Sequence, residues 1–227
     1  MTAQDYLARA QLQHAVSIEP IEALARRLQT VRDQAQFTDS PETLYQYHVP
    51  MLGEGGACSL FDELDPTPYN LADTLDGITD STTRALTQLR ALVAEVASST
   101  QCDWLGIYAK RTLKDGSRAL VKLAYHGKPS RAEFPLTAEF AEHSNNSSVG
   151  LSGQGKIIDD VAGWVADGGA YYTCDPDVRS EACLPLFDDR GILCGIIDAE
   201  DARAGFFSGQ VLETLIALCL VAPSTLP

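Results

Sequence analysis

The reactive groups of this chain are densest in Thr173-Cys174-Asp175-Pro176-Asp177-Val178-Arg179-Ser180-Glu181. Cys174 falls on a polar loop just ahead of a strand-like run, where a thiol is less committed to packing than in a core. Arg179 would favour the thiolate, the form that attacks electrophiles, whereas Asp175 and Asp177 oppose it. Side chains alternate along a strand, so Glu181, Cys183 and Pro185 share one face. On the returning run, Cys194, Ile196, Asp198 and Glu200 share one face. Pairing Phe187 with Ile192 would set Glu181 opposite Asp198 and turn both faces to the same side. Three carboxylates then crowd one end, with Cys183 and Cys194 further along. Crowding and burial raise carboxyl pKa values. A carboxyl kept neutral near pH 7 can donate a proton, and an ionised cluster can hold an ammonium group. A solvated strand end is the plainer reading of Asp198, Glu200 and Asp201, and the two stay open on spacing alone.

Trp104 and Tyr108 flank Gly106 on one strand face. An aromatic wall beside a glycine suits a small ligand with a cationic or sulfur-bearing group, although aromatics also dominate cores. The four histidines have no metal or triad spacing. The six cysteines, Cys58, Cys102, Cys174, Cys183, Cys194 and Cys219, include no CxxC pair and no Cys/His cluster with zinc spacing, so no metal is expected. Without an export signal, most should be reduced thiols.

These residues need elements to position them. A short helix is expected within 4–16, and a better one begins at Pro20, with Ile21, Leu24, Ala25, Leu28 and Val31 at helical spacing. Residues 37–79 are rich in breakers yet carry too many apolar side chains for a solvated tether, and read as an ordered wrap or lid. A long helix is expected from Asp80 to Ser99. A strand at 103–108, the Asp115-Gly116 turn and a returning strand at Ala119–Tyr125 make a hairpin. A short helix at 137–144, stopped by Asn145-Asn146, precedes a strand at Lys156–Val161 and a glycine-rich loop at Gly163–Tyr172. The strand pair Ser180–Phe187 and Ile192–Glu200 follows, then a closing helix capped by Ser208. The order predicts an α+β fold: an antiparallel sheet with the terminal helices on one face and a ligand pocket on the other. Two parts are expected, a helical extension with its wrap or lid at 1–79 and the sheet domain at 80–227.

The net charge of −14 repels phosphate backbones and anionic lipid, which argues against nucleic acid or a membrane as partner. No apolar run approaches the ~20 residues that span a bilayer, and the N-terminus lacks the pattern of a secretory signal. A cytoplasmic protein is expected. Flanking helices with an apolar stripe suggest a homodimer.

Residues 80–222 resemble a GAF domain and, within that fold, the free methionine-(R)-sulfoxide reductase family. The resemblance is carried by Asp103-Trp-Leu-Gly-Ile-Tyr108, by Cys174-Asp-Pro-Asp-Val-Arg-Ser-Glu181 with Leu184-Pro185-Leu186, by Gly195-Ile-Ile-Asp-Ala-Glu200, and by Phe206-Phe207. It implies that Cys174 attacks a sulfoxide and that Glu181, Asp198 and Glu200 are substrate-site carboxylates, with Glu200 replacing an aspartate. It also implies that Trp104 and Tyr108 form the aromatic wall. No cofactor is implied beyond an external thiol reductant such as thioredoxin. The family's two companion cysteines have no counterpart in 127–131 or 136–141, and Asn145–Gly153 reads as extra sequence. Cys183 and Cys194, with Cys102 as a third, are then the internal candidates for a resolving thiol, and an external thiol is the alternative. Two other readings fit the same residues: a non-catalytic small-molecule-binding GAF module, and a divergent enzyme using Cys174 on a non-sulfoxide substrate.

Overall fold

The computed structural model of the chain describes residues 1–13, 16–38, 40–53, 59–169, 171 and 175–227. Two helices open it: α1 (Ala3–Ala10), capped by the Thr2 side chain, and α2 (Ile18–Gln34). Helix α2 begins ahead of Pro20, which sits in its first turn, where a missing N–H costs nothing. Ile21, Ala25 and Leu28 are its buried stripe, while Leu24 packs half-buried against the same core.

The described residues of 40–53 and 59–75 form short pieces rather than a bare loop: α3 (Pro41–Tyr45), β1 (Gln46–Tyr47), β2 (Pro50–Leu52), β3 (Ser59–Leu64), β4 (Tyr69–Asn70) and α4 (Leu71–Thr74). Strands β1 and β4 pair with each other, as do β2 and β3. The long helix α5 (Asp80–Thr100) starts one residue beyond Thr79. Thr79 and Thr82 cap it reciprocally, side chain to backbone, in place of Asp80 or Ser81.

The main sheet has six strands in the order β7-β6-β5-β10-β9-β8, each pair antiparallel. They are β5 (Trp104–Thr112), β6 (Arg118–His126), β7 (Glu133–Pro135), β8 (Lys156–Ile158), β9 (Ser180–Phe187) and β10 (Leu193–Asp201). Gly116, at φ 83°, makes the β5–β6 turn. Between β7 and β8 lie α6 (Ala138–Ala141) and α7 (Asn145–Ser152); α8 (Val161–Ala166) follows β8, and α9 (Gly209–Val221) closes the fold. The stretch read as a glycine-rich loop therefore holds a helix. Asn145-Asn146 start a helix rather than stop one, because the Ser144 side chain accepts the Ser147 amide and caps α7.

Helices α2, α5 and α9 cover one sheet face. Leu86, Leu89 and Val93 of α5 and Leu215 and Ile216 of α9 pack in one core with Ile107, Leu184 and Ile197 of the strands. The opposite face carries a smaller cluster of Trp104, Tyr108, Leu120, Phe134, Val149 and Ile196. Among the described residues, no helix is long and apolar enough to cross a membrane.

Candidate functional site

The second face is where polar side chains are buried. Glu181 is 5% exposed and Asp198 is 3% exposed. Strands β9 and β10 hold them, with Glu181 paired to Glu200 and Cys183 paired to Asp198. The expected register, Glu181 opposite Asp198, is corrected by two residues. Phe187 pairs with Leu193 rather than Ile192, which accounts for one residue, and a bulge between Leu193 and Gly195 adds the second, since an extra residue on one strand shifts everything beyond it. The alternation itself holds from Gly195 onward: Ile196 faces the smaller cluster, while Ile197 and Ala199 face the helices. Cys194 falls within the bulge. It packs half-buried against the helix-side core, and its thiol donates to the Leu186 carbonyl at 3.4 Å. It therefore lies apart from the carboxylates. Cys183, fully buried, lies with them.

Helix α7 docks its first turn onto this cluster. The Asn145 side-chain amide donates to Glu181 Oε2 at 3.0 Å, and that of Asn146 donates to Asp198 Oδ2 at 2.9 Å. Lys156 Nζ in turn donates to Asn145 Oδ1 at 3.3 Å. Asp198 Oδ1 and Asn146 Oδ1 have no hydrogen-bond partner. The residues read as extra sequence thus supply the amides of the site. Their signal was Ser144 three residues ahead of Ser147, a capping spacing hidden behind two asparagines that usually break helices.

Burial raises Glu181 to about 8, with the Asp198 charge adding to the rise; the Asn145 hydrogen bond and Lys156 only partly oppose it. Burial likewise raises Asp198 to about 7 against the Asn146 hydrogen bond. Glu200 is pushed well above the ordinary carboxylate range by burial, then by Asp198 and Glu181. Carboxyls that interact in this way release their protons in steps that belong to the group rather than to single residues. Burial, with Asp198 and Glu181 beside it, also drives the Cys183 thiol well above its usual range. Cys194 is raised to about 11, chiefly by burial.

Trp104 and Tyr108 do share a face. A Cβ on Gly106 would stand 2.3 Å from the Trp104 ring, so the indole itself fills the glycine gap. Trp104 Nε1 donates to the Lys128 carbonyl at 3.0 Å, and its ring stacks on Tyr125 at 6.4 Å. Beside them Lys122, fully buried, places its ammonium 4.1 Å from the Tyr125 ring centre and 4.9 Å from that of Tyr47, and donates to Ser130. Such cages hold a buried cation by ring quadrupole and hydrogen bond together. Tyr47 comes from the N-terminal segment, and its hydroxyl donates to the Lys122 carbonyl at 2.7 Å. Neither Lys122 nor Tyr47 had a sequence signal, because a lysine in an apolar strand reads as solvent-facing.

A cavity of about 1030 Å³ opens next to Glu200, at the upper limit of the roughly 300–1,000 Å³ scale of small-ligand sites. Trp104, Glu200, Lys128 and Asp175 line it from the sheet domain, and Pro50 and Leu64 line it from the β2–β3 ribbon. Lys128 Nζ bridges Asp175 at 2.7 Å and Asp177 at 3.6 Å across its rim. Cys174 lies outside the described residues, as does Cys58; the thiols of Cys102, Cys183, Cys194 and Cys219 are free.

A helix-backed antiparallel sheet with a cavity beside its other face defines this protein as a GAF-like α+β module. Solved structures agree on that fold. A type II free methionine-R-sulfoxide reductase from Thermoplasma acidophilum matches 64% of this chain over 95% of its own, at TM-score 0.54 and 23% identity. A GAF sensor protein from Burkholderia vietnamiensis matches 90% of this chain over 92% of its own, at TM-score 0.53 and 19% identity. A further GAF domain structure spans 100% of this chain at TM-score 0.53 and 14% identity. No family model and no curated protein matches the sequence.

Proposed function

We propose that this protein is a cytoplasmic, thiol-dependent reductase of a small sulfoxide, free methionine-(R)-sulfoxide first among them, with Cys174 as the nucleophile. The observation behind this reading is the group of three carboxyls with raised pKa values beside a cavity whose rim begins at Asp175, the residue after Cys174. A carboxyl still protonated near neutrality is the acid that sulfoxide reduction needs. In the proposed step the Cys174 sulfur attacks the sulfoxide sulfur. Glu181 or Asp198 protonates the oxygen, which passes to the cysteine as a hydroxyl. Methionine leaves, and Cys174 is left as a sulfenic acid. One external thiol then forms a mixed disulfide and releases water; a second frees Cys174 and departs as the oxidised disulfide. Trp104 and Tyr108 would wall the methyl-sulfur end, and Glu200 would hold the ammonium group. The raised, buried Cys183 and the misplaced Cys194 make poor resolving thiols, which favours an external dithiol such as thioredoxin.

The test is direct. Reduced protein with free methionine-(R)-sulfoxide and a dithiol should form methionine, and Cys174→Ser should abolish it. No turnover under conditions where a known reductase works rejects the reading; turnover that survives Cys174→Ser rejects the nucleophile. A homodimer is part of the proposal, and light scattering on the eluting protein reads it.

A non-catalytic binding module is the second reading. It is favoured by Asn145 and Asn146, which already hold two of the carboxylates by hydrogen bonds. Ligand retained without turnover, with Cys174 inert to a thiol reagent, would select it.

A further inference from the structure

We infer that Glu181, Cys183 and Asp198 form a buried site for a borderline divalent transition metal, with zinc as its fitting occupant. The inference is independent of the sulfoxide chemistry. One carboxylate oxygen from each acid and the Cys183 sulfur lie within 4.8 Å of one another, all on buried residues. The sheet builds this trio simply. Cys183 pairs across the ladder with Asp198, and Glu181 is the next same-face residue of β9. Mixed sulfur and oxygen donors suit zinc, whose ligands sit about 2.0–2.3 Å from the ion and hence roughly 3.5 Å apart. Closing from the present spacing takes about 1 Å of side-chain movement.

A second observation points the same way. Asp198 Oδ1 and Asn146 Oδ1 are buried acceptors without a donor, and Asn146 is itself 6% exposed. Asp198 Oδ1 belongs to the trio itself, and leaving it unpaired is a cost that a cation there removes; Asn146 Oδ1 faces away, because its Nδ2 is the atom turned to Asp198. Turning over the Asn146 amide would bring its oxygen to the site in place of Nδ2, a fourth donor. Asn145, anchored on Glu181 and Lys156, then orients the glutamate from outside. The trio adjoins Glu200 at the cavity, because Glu200 pairs with Glu181. Metal and an ammonium-bearing ligand would therefore compete for the same carboxylates.

The experiment uses full-length protein, freed of metal by a chelator, kept reduced and titrated with Co²⁺. One equivalent should bind, with a sulfur-to-cobalt charge-transfer band in the near ultraviolet. Cys183→Ser should abolish the band; Cys194→Ser and Cys174→Ser should keep it. Asp198→Asn should weaken binding at least tenfold. Zinc X-ray absorption on the wild type needs no variant and should report one sulfur in the coordination shell. Sub-stoichiometric uptake, a sulfur-free shell, or a band lost in Cys174→Ser rather than Cys183→Ser overturns the site. None of these readouts involves a sulfoxide, so the reductase proposal can fail without touching them.

Discussion

The two faces of the six-stranded sheet are built on opposite rules. The helix side buries Leu86, Leu89, Leu215 and Ile197 in one apolar core, and each of these side chains gains from leaving water. The cavity side buries Glu181, Asp198, Lys122, Asn145 and Asn146 beside a handful of aromatics. Burying charge costs more than its pairing returns in most settings, and here two acceptors stay unpaired as well. One face stabilises the fold; the other draws on that stability to hold a reactive arrangement. The contrast predicts that truncation should hurt most on the first face and that neutralisation should help on the second.

The largest effect is expected from Ile197→Ala. Ile197 is fully buried between the strands and the helices, and the cavity left behind should cost about 2–5 kcal/mol. Urea unfolding reads this directly. A cost under about 1 kcal/mol would mean the helix side is no better packed than the other.

The next effect concerns pH. Glu181 and Asp198 are raised in the folded protein to about 8 and about 7 from 4.5 and 3.8. The native state therefore holds protons that the unfolded chain has already released. Stability is fully present below about pH 4 as far as these groups are concerned, and is lost as pH rises towards 8. The slope is up to about 1.4 kcal/mol per pH unit for each proton held. Metal-free, ligand-free protein should thus lose stability between pH 5 and 8, and Glu181→Gln or Asp198→Asn should flatten the decline. A flat wild-type profile would mean the acids are solvated and the two faces alike.

A smaller effect is expected at Gly106. A methyl there meets the Trp104 ring at 2.3 Å and Tyr108 at 3.0 Å. Overpacking of this kind costs about 1–3 kcal/mol. Because the cheapest relief is to swing the indole off the strand, Gly106→Ala should also change Trp104 fluorescence. An unchanged emission spectrum with full stability would show that the aromatic wall is loose.

The same contrast explains what the sequence made legible. Helix-side packing leaves a periodic trace, so α5, α9 and the two hairpins are readable from Leu86, Leu89, Val93 and Val96 or from the strand alternation. The cavity face leaves a weaker one. Alternation correctly grouped Glu181 with Cys183 and Asp198 with Glu200, because period two survives in any register. The pairing of Phe187 with Leu193 and the bulge at Leu193–Gly195 leave no compositional mark, so plain alternation sets the pairing two residues off and puts Cys194 on the wrong face. Asn145 and Asn146 illustrate the other limit. Their local preference is to end helices, and only the tertiary contact with Glu181 and Asp198 reveals why they begin one.

The smallest effect tests whether the cavity rim belongs to the polar face or merely borders it. Lys128 is 71% exposed at its side chain where it bridges Asp175 and Asp177, and exposed pairs contribute about 0–1 kcal/mol. Lys128→Ala should therefore change the unfolding free energy by less than about 0.5 kcal/mol. The backbone carbonyl that accepts from Trp104 is untouched by that change, so the aromatic wall should stay in place. What should change is local. The Asp177 amide donates to Asp175 Oδ1 at 2.9 Å, and freeing Asp175 from Lys128 should speed hydrogen exchange at that amide several-fold. High salt should reproduce the effect in the wild type by screening the pair. A stability loss above about 1 kcal/mol would instead tie the rim to the buried carboxylates, and the polar face would then extend to the loop that follows Cys174.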